Sequence, residues 1–213
     1  MTAISETPKP VLIGRSSSHF TRVARIFAAE CGVEYSFQVV RDLMSTELDT
    51  YGGNPALKMP VLQTADGTWF GALNISRELV RRSGSSPRIV WPEQSEAALL
   101  ANAQELALHS MATEVILIMS GNANTGDGDP VLAKVQKSLL NTLAWLDKNM
   151  PDILAALPVE RDLSFLEVTL YCLITHLAFR SVVPVDGYLA LQAFAEEFSV
   201  RPSIAMTEFH FDP

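Results

Sequence analysis

The run Asn54-Pro55-Ala56-Leu57-Lys58-Met59-Pro60-Val61-Leu62 decides how this chain reads, with Thr68-Trp69-Phe70 behind it and Asn74-Ile75-Ser76-Arg77-Glu78-Leu79 beyond. Pro60 follows an apolar residue, opens an apolar stretch and precedes a hairpin signal. Proline has no N–H for a sheet ladder and is confined to strand starts and edges, and this setting suits a cis X-Pro bond. With Met59-Pro60 cis, the N–H and C=O of Met59 face outward and can pair antiparallel with a short extended peptide.

Upstream, Val11-Leu12-Ile13 suits a buried strand, and Arg15-Ser16-Ser17-Ser18 supplies helix N-cap candidates. Phe20, Val23, Ala24, Ile26, Phe27 and Ala28 then recur at helical spacing up to Gly32, a C′ candidate. Tyr35 to Val40 alternates with period two, which predicts a second strand parallel to the first. Asp42 to Tyr51 carries a weak helical pattern that Gly52-Gly53-Asn54-Pro55 breaks. Pro60 to Leu62 and Gly67 to Phe70 predict a hairpin around Asp66-Gly67, and Leu73 to Arg82 a closing helix. The order βαβ, α, ββ, α over residues 8–83 is that of a thioredoxin-like domain, and Arg82 to Pro87 reads as a linker.

A second domain, residues 91–213, shows no strand alternation and is expected to be all-helical. Helices are predicted over Glu93–Ser120, Pro130–Asn149, Phe165–Arg180 and Gly187–Phe198, with breakers at Gly121–Asp129 and Met150–Pro158. Ser164-Phe165-Leu166-Glu167 is a capping box with Leu163 and Val168 as its hydrophobic staple. The helix it opens is apolar nearly all round and belongs in the centre of a bundle.

The chain has 213 residues, 48% of them apolar, enough for two small cores. Sixteen Lys and Arg against 24 Asp and Glu give a net charge of −8, which argues against nucleic-acid or anionic-membrane binding. Cys31 and Cys172 lie far apart and outside any metal-ligand spacing, so a reducing compartment is expected and neither a disulfide nor a metal site is indicated. Met1 to Pro10 lacks the basic-then-apolar order of a secretory signal, which points to the cytoplasm. Leu163 to Val183 is interrupted by Glu167, His176 and Arg180 and reads as a core helix rather than a lipid span. Gly121 to Asp129 resembles a calcium loop only faintly, lacking its first Asp and terminal Glu, and is expected to be a flexible connection.

Taken together, the serine-rich turn after the first strand, the Lys58-Met59-Pro60 loop, the helical second half, the capping box and the tail from Tyr188-Leu189 to Arg201-Pro202-Ser203 resemble the glutathione transferase superfamily, most closely its bacterial and serine-type members. The resemblance implies a cytoplasmic homodimer with glutathione as co-substrate, no metal, and a role in detoxification. It places Ser18 at the activating position, with Ser17 and Ser16 as near alternatives. Ser17, Lys58, Met59, Pro60, Gly71 and Ala72 would hold the tripeptide, with Arg15, Arg22 and Arg41 as further cations. His109 and Met111, with Leu117 and Met119, would line a pocket for an apolar electrophile between the domains. Relatives usually carry an acidic residue or Gln followed by Ser where this chain has Gly71-Ala72. Two side-chain contacts to the γ-glutamyl end are thereby missing, each worth about 1–3 kcal/mol.

Each feature also has a plainer reading. Serines ahead of a helix are ordinary caps, cations on a surface are ordinarily solvated, and Met at helical spacing is ordinarily core. His19 beside Ser18 suggests a nucleophile–base pair, but adjacent turn residues point apart and no Asp partner is evident, so hydrolase chemistry is not expected. His176 reads as a hydrogen-bonded core histidine. The rival functions are a catalytically silent binding or assembly module, which Gly71-Ala72 favours, and a glutathione-dependent isomerase.

Overall fold

The computed structural model describes residues 8–121 and 129–213, which form two compact units, residues 8–86 with 203–213 and residues 87–202. Residues 122–128 of the expected interhelix connection lie outside the described residues, as do residues 1–7 of the N-terminal stretch.

The first unit runs β1 (Val11–Gly14), α1 (His19–Glu30), β2 (Ser36–Val39), β3 (Val61–Thr64), β4 (Gly67–Phe70) and α2 (Ala72–Arg82). The sheet order is β2-β1-β3-β4, with β1 parallel to β2 and antiparallel to β3, and β3 antiparallel to β4. This is the thioredoxin-like arrangement that the alternation of apolar periods predicts. Period-two alternation divides β1 between two faces. Ile13 joins Val40, Tyr51 and Val61 in one cluster, and Leu12 points to the other face.

α1 and α2 pack against each other through residues withdrawn almost wholly from water, including Val23, Ile26 and Phe27 on α1 and Ile75 and Leu79 on α2. Each such side chain contributes about 1.5–3 kcal/mol by burial. Gly14 makes the close approach of β1 and α1 possible, because a Cβ there would lie 2.5 Å from Thr21 Oγ1. The weak helical pattern over Asp42 to Tyr51 yields only one 3-10 turn, Leu48–Tyr51. Bonds such as Asp42 Oδ1 accepting the Met44 N–H (2.8 Å) and Tyr51 Oη donating to Leu43 O (2.9 Å) hold this loop instead of a helix.

α2 is tied down at its far end. Glu78, its side chain fully buried, accepts from Arg81 Nε (2.8 Å) and Nη2 (2.7 Å) and from Arg82 Nε (2.5 Å). Arg82 also pairs with Asp66 in the β3–β4 turn, which joins the hairpin to the helix.

The second unit contains α3 (Ala98–Met119), α4 (Pro130–Ala156), α5 (Phe165–Arg180) and α6 (Leu189–Phe198). It is helical apart from β5 (Ile89–Val90) and β6 (Leu163–Ser164), a parallel pair too short to leave an alternation in sequence. α4 passes through Pro151, where breakers predict a stop. Met150 and Ile153 continue the buried face begun by Leu143 and Leu146, and that burial outweighs the lost backbone bond. α5 is buried continuously from Phe165 to Ile174, as a central helix should be. His176 Nδ1 and Glu114 Oε1 of α3 are 2.7 Å apart, a hydrogen-bonded core histidine.

A short helix, α7 (Pro202–Ala205), begins the return of the chain to the first unit. The boundary of the helical domain therefore needs correction, since residues 203–213 pack with residues 8–86 rather than with the helices before them. Among the described residues, no helix is long and apolar enough to cross a membrane.

The Ser164 cap of α5 is formed, with Glu167 bonding the Ser164 hydroxyl rather than the Ser164 N–H, and it is reinforced. Ser164 Oγ accepts the Glu167 N–H (3.0 Å) and donates to Glu167 Oε2 (2.7 Å), while Arg161 grips the same carboxylate through Nε (2.9 Å) and Nη2 (2.6 Å). Ser164→Ala is expected to lower stability by about 1–2 kcal/mol, read as a lower urea midpoint with an unchanged slope.

Candidate functional site

Strand register gathers the site. Ile13 pairs with Val61, and Val61 pairs in turn with Phe70. The segments just beyond these residues, the serine turn after Gly14, Met59-Pro60 before Val61 and Gly71-Ala72 after Phe70, therefore share one end of the sheet. Gly14 lies opposite Val39 in the parallel pair, so Val40 and Arg41 emerge at the same end.

The serine turn is closed by Ser18 N–H donating to Arg15 O (3.1 Å). Ser16 and Ser17 are buried in it, and Ser18 is partly exposed. Ser18 is the N-cap of α1, its Oγ accepting the Thr21 N–H at 3.3 Å. The plain capping reading is thus correct as far as it goes. A hydroxyl that accepts a backbone bond keeps its proton to donate, and among the described residues no acceptor takes the Ser18 proton. His19 is buried and stands edge-on to the Phe20 ring.

The Met59-Pro60 bond is cis. Asn54, read in the sequence only as a breaker, organises the approach to it. Its Oδ1 accepts from Ala56 N (3.0 Å), its Nδ2 donates to Lys58 O (2.7 Å), and its backbone carbonyl accepts from Leu57 N (3.0 Å). Leu57 takes φ 52° in this turn, a conformation uncommon for a residue with a Cβ. Among the described residues, no partner takes the Met59 N–H or C=O. The Lys58 side chain is exposed.

Pro60 O accepts from Gly71 N at 3.3 Å, which links the proline loop to the start of α2. Gly71 is the N-cap of α2 with φ 82° and ψ 146°, and no side chain caps that helix end. The positive φ explains the glycine, because an L side chain is strained there. Ala72 begins α2 and is buried.

Of the additional cations, Arg22 and Arg41 have other employment, whereas the buried Arg15 Nε has no hydrogen-bond partner among the described residues. Arg22 Nη2 donates to Ile204 O (3.3 Å), and Arg41 donates to Pro213 O. The cysteines offer no alternative nucleophile. Both are buried outside any disulfide, and burial first, then neighbouring Glu30, pushes the Cys31 thiol up to about 11 against an opposing hydrogen bond from Ser83.

His109 and Met111 of the expected electrophile pocket stand on different sides of α3. His109 is exposed, 3.4 Å from Ser138 Oγ, whereas Met111 is fully buried. Leu117 is likewise buried and Met119 is exposed. Two residues of helix turn a side chain by about 200°, so a spacing of two does not make a common face.

Residues 17–82 match the family described as glutathione S-transferase, N-terminal domain. No curated protein matches the chain. Solved structures resemble it over nearly its whole length. A glutathione S-transferase from Methylobacillus flagellatus KT with GSH bound is 19% identical with a TM-score of 0.72, covering 95% of this chain and 100% of that one. A glutathione transferase family member from Pseudomonas fluorescens Pf-5 with bound glutathione is 18% identical with a TM-score of 0.74 and the same coverage. A Tau class glutathione S-transferase from mango, Mangifera indica, is 17% identical with a TM-score of 0.69, covering 95% of this chain and 93% of that one. Residues 17–82 thus match the glutathione S-transferase N-terminal domain family, and the chain as a whole has the fold of these glutathione transferases.

Proposed function

We propose that this protein binds glutathione at the end of its sheet and activates the thiol for attack on an apolar electrophile. The observation that carries the reading is the convergence of three open groups on one sheet end, namely the Met59 backbone, the partly exposed Ser18 hydroxyl and the bare N-terminus of α2. Extended peptides pair with an unfilled backbone edge, and a helix start attracts a carboxylate. The glutathione-bound relatives of the same fold support this assignment.

A free thiol of pKa near 8.5 is about 3% ionised at pH 7, and lowering it by two units requires about 2.7 kcal/mol of thiolate stabilisation. The Ser18 hydroxyl, donating to sulfur beside the positive end of α1, supplies part of that. The thiolate then forms a C–S bond to the electrophile as the leaving group departs with its electron pair. Holding both reactants together contributes the rest, with no covalent enzyme intermediate. The same reading makes the protein a cytoplasmic homodimer engaged in detoxification.

A second reading, a silent member serving as a binding module, is favoured by Gly71-Ala72, where no side chain meets the γ-glutamyl group. Calorimetric titration with reduced glutathione at neutral pH separates the two. Saturable binding at millimolar or tighter affinity supports the transferase, and absence of heat, with no competition from S-methylglutathione, moves the assignment to the module.

Ser18→Ala is expected to lower conjugation kcat about 10- to 100-fold while changing glutathione affinity less than about threefold. An equal loss in both would mark Ser18 as a cap alone. Ala72→Ser, restoring a hydroxyl at the start of α2, is expected to tighten glutathione by about five- to tenfold, and an unchanged dissociation constant would remove Ala72 from the site.

A further inference from the structure

The chain after α7 returns along α1 and finishes on the serine turn. Ser203 Oγ donates to Glu30 Oε1 (2.6 Å), Arg22 Nη2 to Ile204 O (3.3 Å) and Arg25 Nη2 to Met206 O (3.4 Å). The Arg22 guanidinium lies 4.3 Å from the centre of the Phe209 ring, and Arg41 donates to Pro213 O. Between these anchors, Asp212 Oδ2 accepts the Ser16 N–H at 2.8 Å. The Asp212 side chain is only 6% exposed, and its other oxygen stands 3.8 Å from His210 Nε2.

A carboxylate so far withdrawn from water needs partners that replace its hydration. Here the serine turn provides one, through a backbone N–H two residues from the cap of α1. A backbone N–H held out by a turn can seat an anion, and the Ser16 N–H is taken by the chain's own Asp212.

We propose that Asp212 is a specificity-determining residue of the serine turn: it fills the anion seat at the Ser16 N–H and weakens the hold of the turn on any second anion. An arriving thiolate beside Ser18 meets a like charge held two residues away at the Ser16 N–H, while a neutral thioether at the same place does not. Like charges at this range, partly screened, change affinity by about tenfold. The consequence for glutathione rests on the function proposed above. The seat itself does not.

The test uses the full chain, isotopically labelled, as wild type, Asp212→Ala and Asp212→Asn, with the Ser16 amide followed by NMR. Inorganic sulfate titrated at constant ionic strength is expected to shift the Ser16 amide saturably in Asp212→Ala, at least tenfold more tightly than in wild type. No saturable shift, or equal shifts in both proteins, would overturn the seat. If Asp212→Ala fails to fold, the isosteric Asp212→Asn carries the test, with a gain of threefold or more expected and an unchanged affinity overturning it.

In the same variants, glutathione is expected to bind about tenfold more tightly than to wild type and S-methylglutathione less than threefold more tightly. Equal gains for thiol and thioether would overturn the discrimination. A variant that seats sulfate at Ser16 yet binds neither tripeptide would sink the function proposed above and leave the seat standing.

Discussion

The site depends on the register of β3 between β1 and β4. Ile13 opposite Val61 and Val61 opposite Phe70 bring three chain reversals, separated by tens of residues, to one end of the sheet. A one-residue slip would turn every β3 side chain to the other face, moving Val61 out of its cluster with Ile13, Val40 and Tyr51. The apolar alternation of β1 and β3 therefore fixes the core and the site together. The clamp of Arg81 and Arg82 on Glu78, extended to Asp66, holds the hairpin against α2 and so sets where Gly71-Ala72 begins.

Within that frame, capping and the proposed chemistry share an atom. The Ser18 Oγ spends a lone pair on the Thr21 N–H and keeps its proton. The cap and the proposed thiol-activating role are therefore compatible in one serine. It also accounts for the contrast with Ser16 and Ser17, which are buried in the turn that presents Ser18.

β1 to β4, α1, α2 and the start of α5 were legible because local signals and tertiary packing agree there. The capping box at Ser164 predicts the α5 boundary, and Gly32 stands just past the α1 C-cap with φ 62°. Reading failed where packing overrode the local signal. Pro151 argues for a break, yet burial of Met150 and Ile153 carries α4 through it. The return of residues 203–213 to the first unit was hidden for a different reason. Its anchors, Arg22, Arg25 and Glu30 against Ser203, Ile204 and Met206, are pairings across about 180 positions of chain, and no periodicity records them. Asp212 was invisible on the same ground, and Asn54 passed as a breaker because its bonds to Ala56, Leu57 and Lys58 all run within its own loop.

Gly71-Ala72 changes meaning once its backbone is seen. A residue at φ 82° is strained unless it is glycine, typically by about 1–3 kcal/mol, so a side chain placed there to grip a ligand would cost stability in the free protein. This chain has the relaxed solution, and on the function proposed above recognition at that corner falls to the open N–H groups of α2. Such groups hold a carboxylate through their dipoles but take no interest in an ammonium. Selectivity among small peptides is therefore expected to rest on the Met59 backbone and on the charge that Asp212 brings to the serine turn, rather than on the γ-glutamyl corner.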